Sequence, residues 1–470
     1  MQTPFFHIEI PTQAQDHKIL ANILPGADSL AVSEIAAQFN GLTVVVTNDT
    51  RSAVRLEKEL AQLSPLNVTF FPDWETLPYD SFSPHQDIIS ARLSALFHLQ
   101  QRKQGIFILP IATLMQRVCP PSYLQHRVLL INKGDRFVIE TLRLQLEKSG
   151  YRAVEQVLEH GEYAVRGALL DLFPMGSAVP FRLDFFDDEI DSIRTFDVDT
   201  QRTLQEIDQI NLLPAHEFPT DNQGIEFFRS QFRAVFGEIR RDPEHIYQQI
   251  SKGTLAAGIE YWQPLFFEEM ATLFDYFSAN TLFITGEQNQ TQGERFYADA
   301  EQRFESRRVD PMRPLLSPDK LWLRIDEVNR QLKNYPAIAL KTEKVRSSAR
   351  QKNLAITPLP PVTIQSQQKE SLHQLRQFIE HFKGNILFIV ETEGRRETLL
   401  SLLAPLKLKP KQISSLAQAT KEKLTLMVSP LEHGFIIEQD VPLAIICESE
   451  LLGERVQQRQ RDKSRTVNPD

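Results

Sequence analysis

Gly41-Leu42-Thr43-Val44-Val45-Val46-Thr47 is a run of β-branched and apolar residues, too short for a helix and too apolar for a strand with one wet face. A run of this kind belongs inside a parallel sheet covered on both faces. Its surroundings repeat the theme. Asn48-Asp49-Thr50 can cap a helix through Val54, Leu56, Leu60 and Leu63. Val68-Thr69-Phe70-Phe71 reads as a second strand ended by Pro72, residues Ile88 to Gln101 as a helix, and Gly105-Ile106-Phe107-Ile108-Leu109-Pro110 as another buried strand. Strand, helix, strand, helix in this order predicts a doubly wound α/β sheet.

Near residue 127 the pattern changes. After Arg127-Val128-Leu129-Leu130-Ile131, a helix carrying Leu142, Leu144 and Leu146 is stopped by Gly150, and Glu155 to Asp197 reads as strands and tight turns. This is a small β-rich insertion. Beyond Pro214 helical spacing returns, with Phe227, Phe228 and Phe232 placed for one face, and Thr281-Leu282-Phe283-Ile284 is a further strand. Pro358-Leu359-Pro360-Pro361 reads as a stiff linker. Strands at Ile386–Val390, Leu424–Val428 and Leu443–Cys447 follow. The division expected is therefore 1–126 and 214–352 as two parts of one α/β domain, 127–213 as the insertion, 355–455 as a separate small α/β domain, and 456–470 as a polar linker.

Composition narrows the function. The net charge of −9 argues against a stand-alone nucleic-acid binder, which would present a basic footprint. One local exception is 301–352, with 13 Lys+Arg against 7 Asp+Glu. A solvated face or linker accounts for it, since no aromatics are interleaved along a groove. It leaves open an alternative, a DNA-binding module acting through a local basic surface. Two distant cysteines, Cys119 and Cys447, support neither a disulfide framework nor a zinc site. The amino terminus has no secretory pattern and no apolar run approaches the ~18 residues of a membrane span, so a soluble cytoplasmic protein without a membrane partner is expected.

Catalytic motifs are missing. A phosphate loop needs glycines to cradle phosphates, then Lys and Ser/Thr. The chain has no Gly-Lys pair, and the matching place holds Leu24-Pro25-Gly26-Ala27-Asp28-Ser29-Leu30, where Asp28 would repel a phosphate. No enzyme activity and no cofactor are expected. Ile445-Ile446-Cys447-Glu448-Ser449-Glu450 only superficially resembles a strand ending in magnesium ligands, and His216-Glu217 lacks the second histidine of a zinc-protease signature, because Thr220 stands there.

The most specific surface lies in the insertion. Period-two alternation puts Phe181, Leu183 and Phe185 on one face of a strand and Arg182, Asp184 and Phe186 on the other. An aromatic on a charged face suits a docking anchor, although pattern alone equally allows Phe186 to pack under a loop. Arg166, on a preceding strand, would by itself read as a solvated arginine. The acidic run Asp187-Asp188-Glu189 reads as a hairpin turn.

Two stretches carry a resemblance. One is Phe71-Pro72-Asp73-Trp74-Glu75-Thr76-Leu77-Pro78-Tyr79-Asp80 with Ile88-Ile89-Ser90-Ala91-Arg92-Leu93. The other is Gly161-Glu162-Tyr163-Ala164-Val165-Arg166-Gly167-Ala168-Leu169-Leu170-Asp171-Leu172-Phe173-Pro174, leading to Phe181-Arg182-Leu183-Asp184-Phe185-Phe186. Together with Cys447-Glu448-Ser449-Glu450-Leu451-Leu452-Gly453-Glu454-Arg455 they resemble the amino-terminal part of the bacterial transcription-repair coupling factors. The second is also similar to the partner-binding domain of the excision-repair protein UvrB. The resemblance implies a degenerate motor-type (RecA-like) α/β domain interrupted by a small β-rich domain that binds UvrA, the DNA-damage sensor. It implies UvrA contacts at Arg166, Arg182 and Phe186. It also implies an RNA-polymerase-binding module and an ATP-dependent double-stranded-DNA translocase beyond Asp470, outside this chain. Two departures from UvrB stand out: the phosphate loop is degenerate, and the segment after Tyr79 is too short for a long damage-inserting hairpin.

Overall fold

The computed structural model describes residues 4–237, 239–364 and 372–452. Along the chain, β1 (His17–Ala21), helix α1 (Ala27–Gln38), β2 (Leu42–Thr47), α2 (Thr50–Leu63), β3 (Val68–Phe70), α3 (Gln86–Gln101) and β4 (Gly105–Pro110) come first. The insertion contributes β5 (Leu129–Asn132), β6 (Arg152–Ala153), β7 (Glu162–Arg166), β8 (Leu169–Leu172), β9 (Phe181–Phe186), β10 (Glu189–Phe196), β11 (Thr203–Ile207) and β12 (Gln209–Leu212). Then come β13 (Thr281–Thr285), β14 (Ala337–Leu340), β15 (Gln351–Asn353) and β16 (Ile356–Thr357). The last strands are β17 (Asn385–Val390), β18 (Lys411–Gln412), β19 (Leu424–Val428), β20 (Phe435–Ile437) and β21 (Leu443–Cys447).

The fold is mixed α/β. Seven strands form one sheet in the order β15-β1-β14-β13-β2-β4-β3, every pairing parallel. Both β2 and β4 are buried along their whole length, as their apolar runs require. Asp49 caps α2 by accepting from the Ser52 amide at 2.8 Å. Chain that leaves after β4 returns to this sheet at β13, so the insertion interrupts it.

A six-stranded sheet, β11-β10-β9-β8-β7-β6, makes the insertion, with antiparallel hairpins from β7 through β11. The pair β5–β12 stands beside it. The last sheet, β16-β20-β21-β17-β19-β18, is parallel from β21 to β18 and antiparallel at β20 and β16.

First and last sheets share one apolar cluster. Val45, Ile106 and Ile284, with Leu30 and Ile35 of α1, join Leu387, Ile389, Phe435 and Ile445. Polar bonds fasten the seam: Asn22 donates to the carbonyls of Leu354 and Ile356 at 2.9 Å each, and Gln62 to that of Val428 at 2.7 Å. The segment Leu24-Pro25-Gly26-Ala27-Asp28-Ser29-Leu30 lies at this seam. Gly26 precedes α1 at φ 82°, and a Cβ there would lie 2.4 Å from the His433 carbonyl oxygen, so only glycine fits. Asp28 pairs with Arg55.

Candidate functional site

Two hairpin turns build the site. β7 and β8 are joined by Gly167-Ala168, with Arg166 opposite Leu169. β9 and β10 are joined by Asp187-Asp188, with Phe186 opposite Glu189. Asp187 sits at φ 56°, the left-handed conformation a two-residue hairpin demands and aspartate tolerates. The acidic run is thus a turn, as its sequence suggests. The Phe185 amide donates to the Ala168 carbonyl at 2.9 Å, which locks both turns at the same end of the sheet.

Alternation then divides the side chains. Leu170, Leu172, Phe181, Leu183, Phe185, Ile190 and Ile193 point inward to the core. Phe186, one position past Phe185, is 75% exposed, against 6% for its neighbour. It packs under no loop, and a bare phenyl ring on a charged face is the feature that most needs an explanation.

The two arginines meet on one buried carboxylate. Asp171, on β8 directly opposite Arg182 of β9, has a side chain only 2% exposed. Its Oδ1 accepts from Arg182 Nε at 2.7 Å, and its Oδ2 from Arg182 Nη2 at 2.9 Å and from Arg166 Nη2 at 2.7 Å. Bonding to Asp171 raises the Arg182 pKa above its ordinary value, against the opposing effect of burial. The Arg182 guanidinium also lies over the Phe196 ring at 4.9 Å and is 16% exposed, whereas Arg166 is 53% exposed. One strand further, Arg194 Nη2 binds Asp184 Oδ2 at 3.1 Å.

The two arginines at which the resemblance implies UvrA contacts thus differ in what they can offer a partner. The Arg182 fork is closed internally, and Arg166 keeps most of its edge outward. Sequence reasoning passed over Asp171, although a carboxylate inside Ala168-Leu169-Leu170-Asp171-Leu172 had to find cationic partners to be buried. It also missed Arg92. That side chain is fully buried, donates to the Pro72 carbonyl at 2.8 Å, pairs with Glu217, and stacks over Phe71 and Trp74 at 4.5 and 5.5 Å. Glu217, weighed above only against a zinc signature, is thus half of an internal ion pair.

Elsewhere the basic stretch 301–352 is threaded with partners. Arg303 binds Asp299, Arg307 binds Asp80, Arg308 binds Glu305, Arg324 binds Glu301 and Lys352 binds Glu9. At the end of β21, Glu450 accepts from the amides of Cys447 and Gly434 at 2.9 and 3.1 Å, a local cap. Among the described residues, no group of three or more His, Cys, Asp or Glu is placed to hold a metal, and no helix is long and apolar enough to cross a membrane. Cys119 and Cys447 are free and buried. The polar stretch 456–470 lies outside the described residues.

The family described as the UvrB interaction domain matches residues 129–218, which hold the hairpins and the arginine–aspartate cluster. The family described as the D3 domain of MFD matches residues 378–451. A transcription-repair-coupling factor of Haemophilus influenzae is 76% identical over all of the chain, and that of Escherichia coli 54% identical over 99% of it. The factor of Bacillus subtilis is 24% identical over 96%. The chain spans about two-fifths of the length of these relatives: 41%, 40% and 39% respectively. With both domain families and near-complete coverage in agreement, the chain belongs to the transcription-repair-coupling factor family and corresponds to its amino-terminal, UvrB-like region.

Proposed function

We propose that this chain is the non-catalytic recruitment module of a transcription-repair coupling factor, and that it brings UvrA to stalled transcription complexes in the cytoplasm. The observation that carries the reading is Phe186, exposed on the same outer sheet face as Arg166 and the Arg182–Asp171 pair. An apolar anchor flanked by guanidinium is the composition of an interface centre. In this reading the seven-stranded sheet is a degenerate RecA-like domain, formed by 1–126 and 214–352 and interrupted by the UvrA-binding domain at 127–213. Residues 355–455 form a separate small α/β domain. RNA polymerase and double-stranded DNA are partners of the longer protein, through regions beyond this chain, as is its ATP-driven translocation.

Titrating the chain against UvrA and, separately, against duplex DNA over a range of salt tests the proposal. Saturable UvrA binding, with DNA binding weak, supports recruitment. DNA binding that falls steeply with salt, without UvrA binding, would replace recruitment by a DNA-binding module.

A further inference from the structure

The arginines of the docking face are not independent. Arg182 has Nε and Nη2 on Asp171 and Nη1 at 3.4 Å from the Gln201 carbonyl, so the nitrogens along its fork already face partners within the chain. Its guanidinium carbon lies over the Phe196 ring. Asp171 in turn holds Arg166 by a single bond to Nη2, leaving the rest of that guanidinium outward. Arg182 and Arg194 are directly opposed across β9 and β10, and Asp171 and Asp184 separate their charges. Of the three arginines paired to these two aspartates, the guanidinium with most room to bond outward is that of Arg166.

We propose that Asp171 is the positioning residue of the docking face. Its buried carboxylate, itself steered by Arg182, holds Arg166 in one orientation on the face that carries Phe186 before the partner arrives. The inference rests on the UvrA-docking reading and deepens it. What the face offers is one oriented guanidinium edge and one phenyl ring. Its complement is a single carboxylate next to an apolar notch, rather than the pair of carboxylates that two free arginines would demand. Arranging the guanidinium in advance lowers the ordering cost at binding, which is the gain positioning residues supply.

The test is a double-mutant cycle on the full 470-residue chain, read by calorimetric titration against UvrA. Asp171→Asn keeps the shape and removes the charge, and is expected to weaken binding by about tenfold. In an Arg166→Ala background the same change should cost less than about twofold, because the residue through which Asp171 acts is gone. Arg182→Met, which keeps contact with the Phe196 ring, should behave in the same way, and it carries the test if Asp171→Asn melts below the assay temperature. Equal losses in the parent and Arg166→Ala backgrounds would show a general structural effect and overturn the inference. Parent-like binding by both single variants would overturn it too, while leaving the docking reading in place. A parent chain that does not bind UvrA would remove the docking reading and this inference with it.

Discussion

Phe185 and Phe186 are adjacent, chemically identical and on opposite faces of one strand, and truncating them should have opposite consequences. Phe186 is 75% exposed, so Phe186→Ala removes almost no packing and should change stability by less than about 0.5 kcal/mol. If the ring is buried on UvrA, three quarters of a phenylalanine's roughly 200 Å² leaves water. At about 25 cal/mol per Å² that is an upper bound near 4 kcal/mol. Ordering and imperfect burial reduce it to about 2–3 kcal/mol, a weakening of roughly 30- to 150-fold. Phe185 is 6% exposed in the insertion's core, and Phe185→Ala should cost about 3–5 kcal/mol of stability by leaving a cavity. Thermal melts and UvrA titrations of the two variants decide the matter. Phe186→Ala binding UvrA as tightly as the parent, or melting as early as Phe185→Ala, would refute the assignment of the two faces.

Other perturbations probe the scaffold. Glu217→Ala strands the buried Arg92 and should destabilise the chain by about 3–5 kcal/mol in denaturant melts, whereas Arg92→Met with Glu217→Leu should recover most of the loss. Burial raises the Glu260 carboxyl from the ordinary 4.5 to about 7. Its stabilising contribution is complete below the unfolded value and lost as pH rises through about 7. Glu260→Gln, still able to accept from Ser83, should therefore match the parent near pH 5 and exceed it near pH 8 by up to about 3 kcal/mol; parallel melting curves across that range would contradict this. Gly26→Ala should cost at least about 2 kcal/mol through a strained φ and a clash with the His433 carbonyl, detected as a lower melting temperature.

Much of this was legible in the chain, for identifiable reasons. The runs at 42–47 and 105–110 are buried on both faces, and continuous apolarity has few other uses. The alternation at Phe181–Phe186 was readable because the period of a strand is two, and the observed burial follows it residue by residue. What pattern could not supply was pairing across strands. Asp171 and Arg182 are 11 positions apart and Arg92 and Glu217 are 125 apart, and only sheet register or chain return brings each pair together. For the same reason the seam between first and last sheets was invisible: Gly26 and His433 meet through tertiary packing, and neither neighbourhood announces the other. The short turn Asp187-Asp188 was legible from composition; that it lies beside Gly167-Ala168, and so brings Phe186 to the Arg166 end, was not.

In the proposed function, one sheet face of the insertion docks UvrA. Calorimetric titration of UvrA with the parent chain and with an Arg166→Ala/Arg182→Ala/Phe186→Ala variant, verified as folded by its melting curve, tests it most directly. Saturable binding by the parent and none detectable for the variant is the expected result. Equal affinity of the two for UvrA would contradict the claim and place the contact elsewhere on the chain.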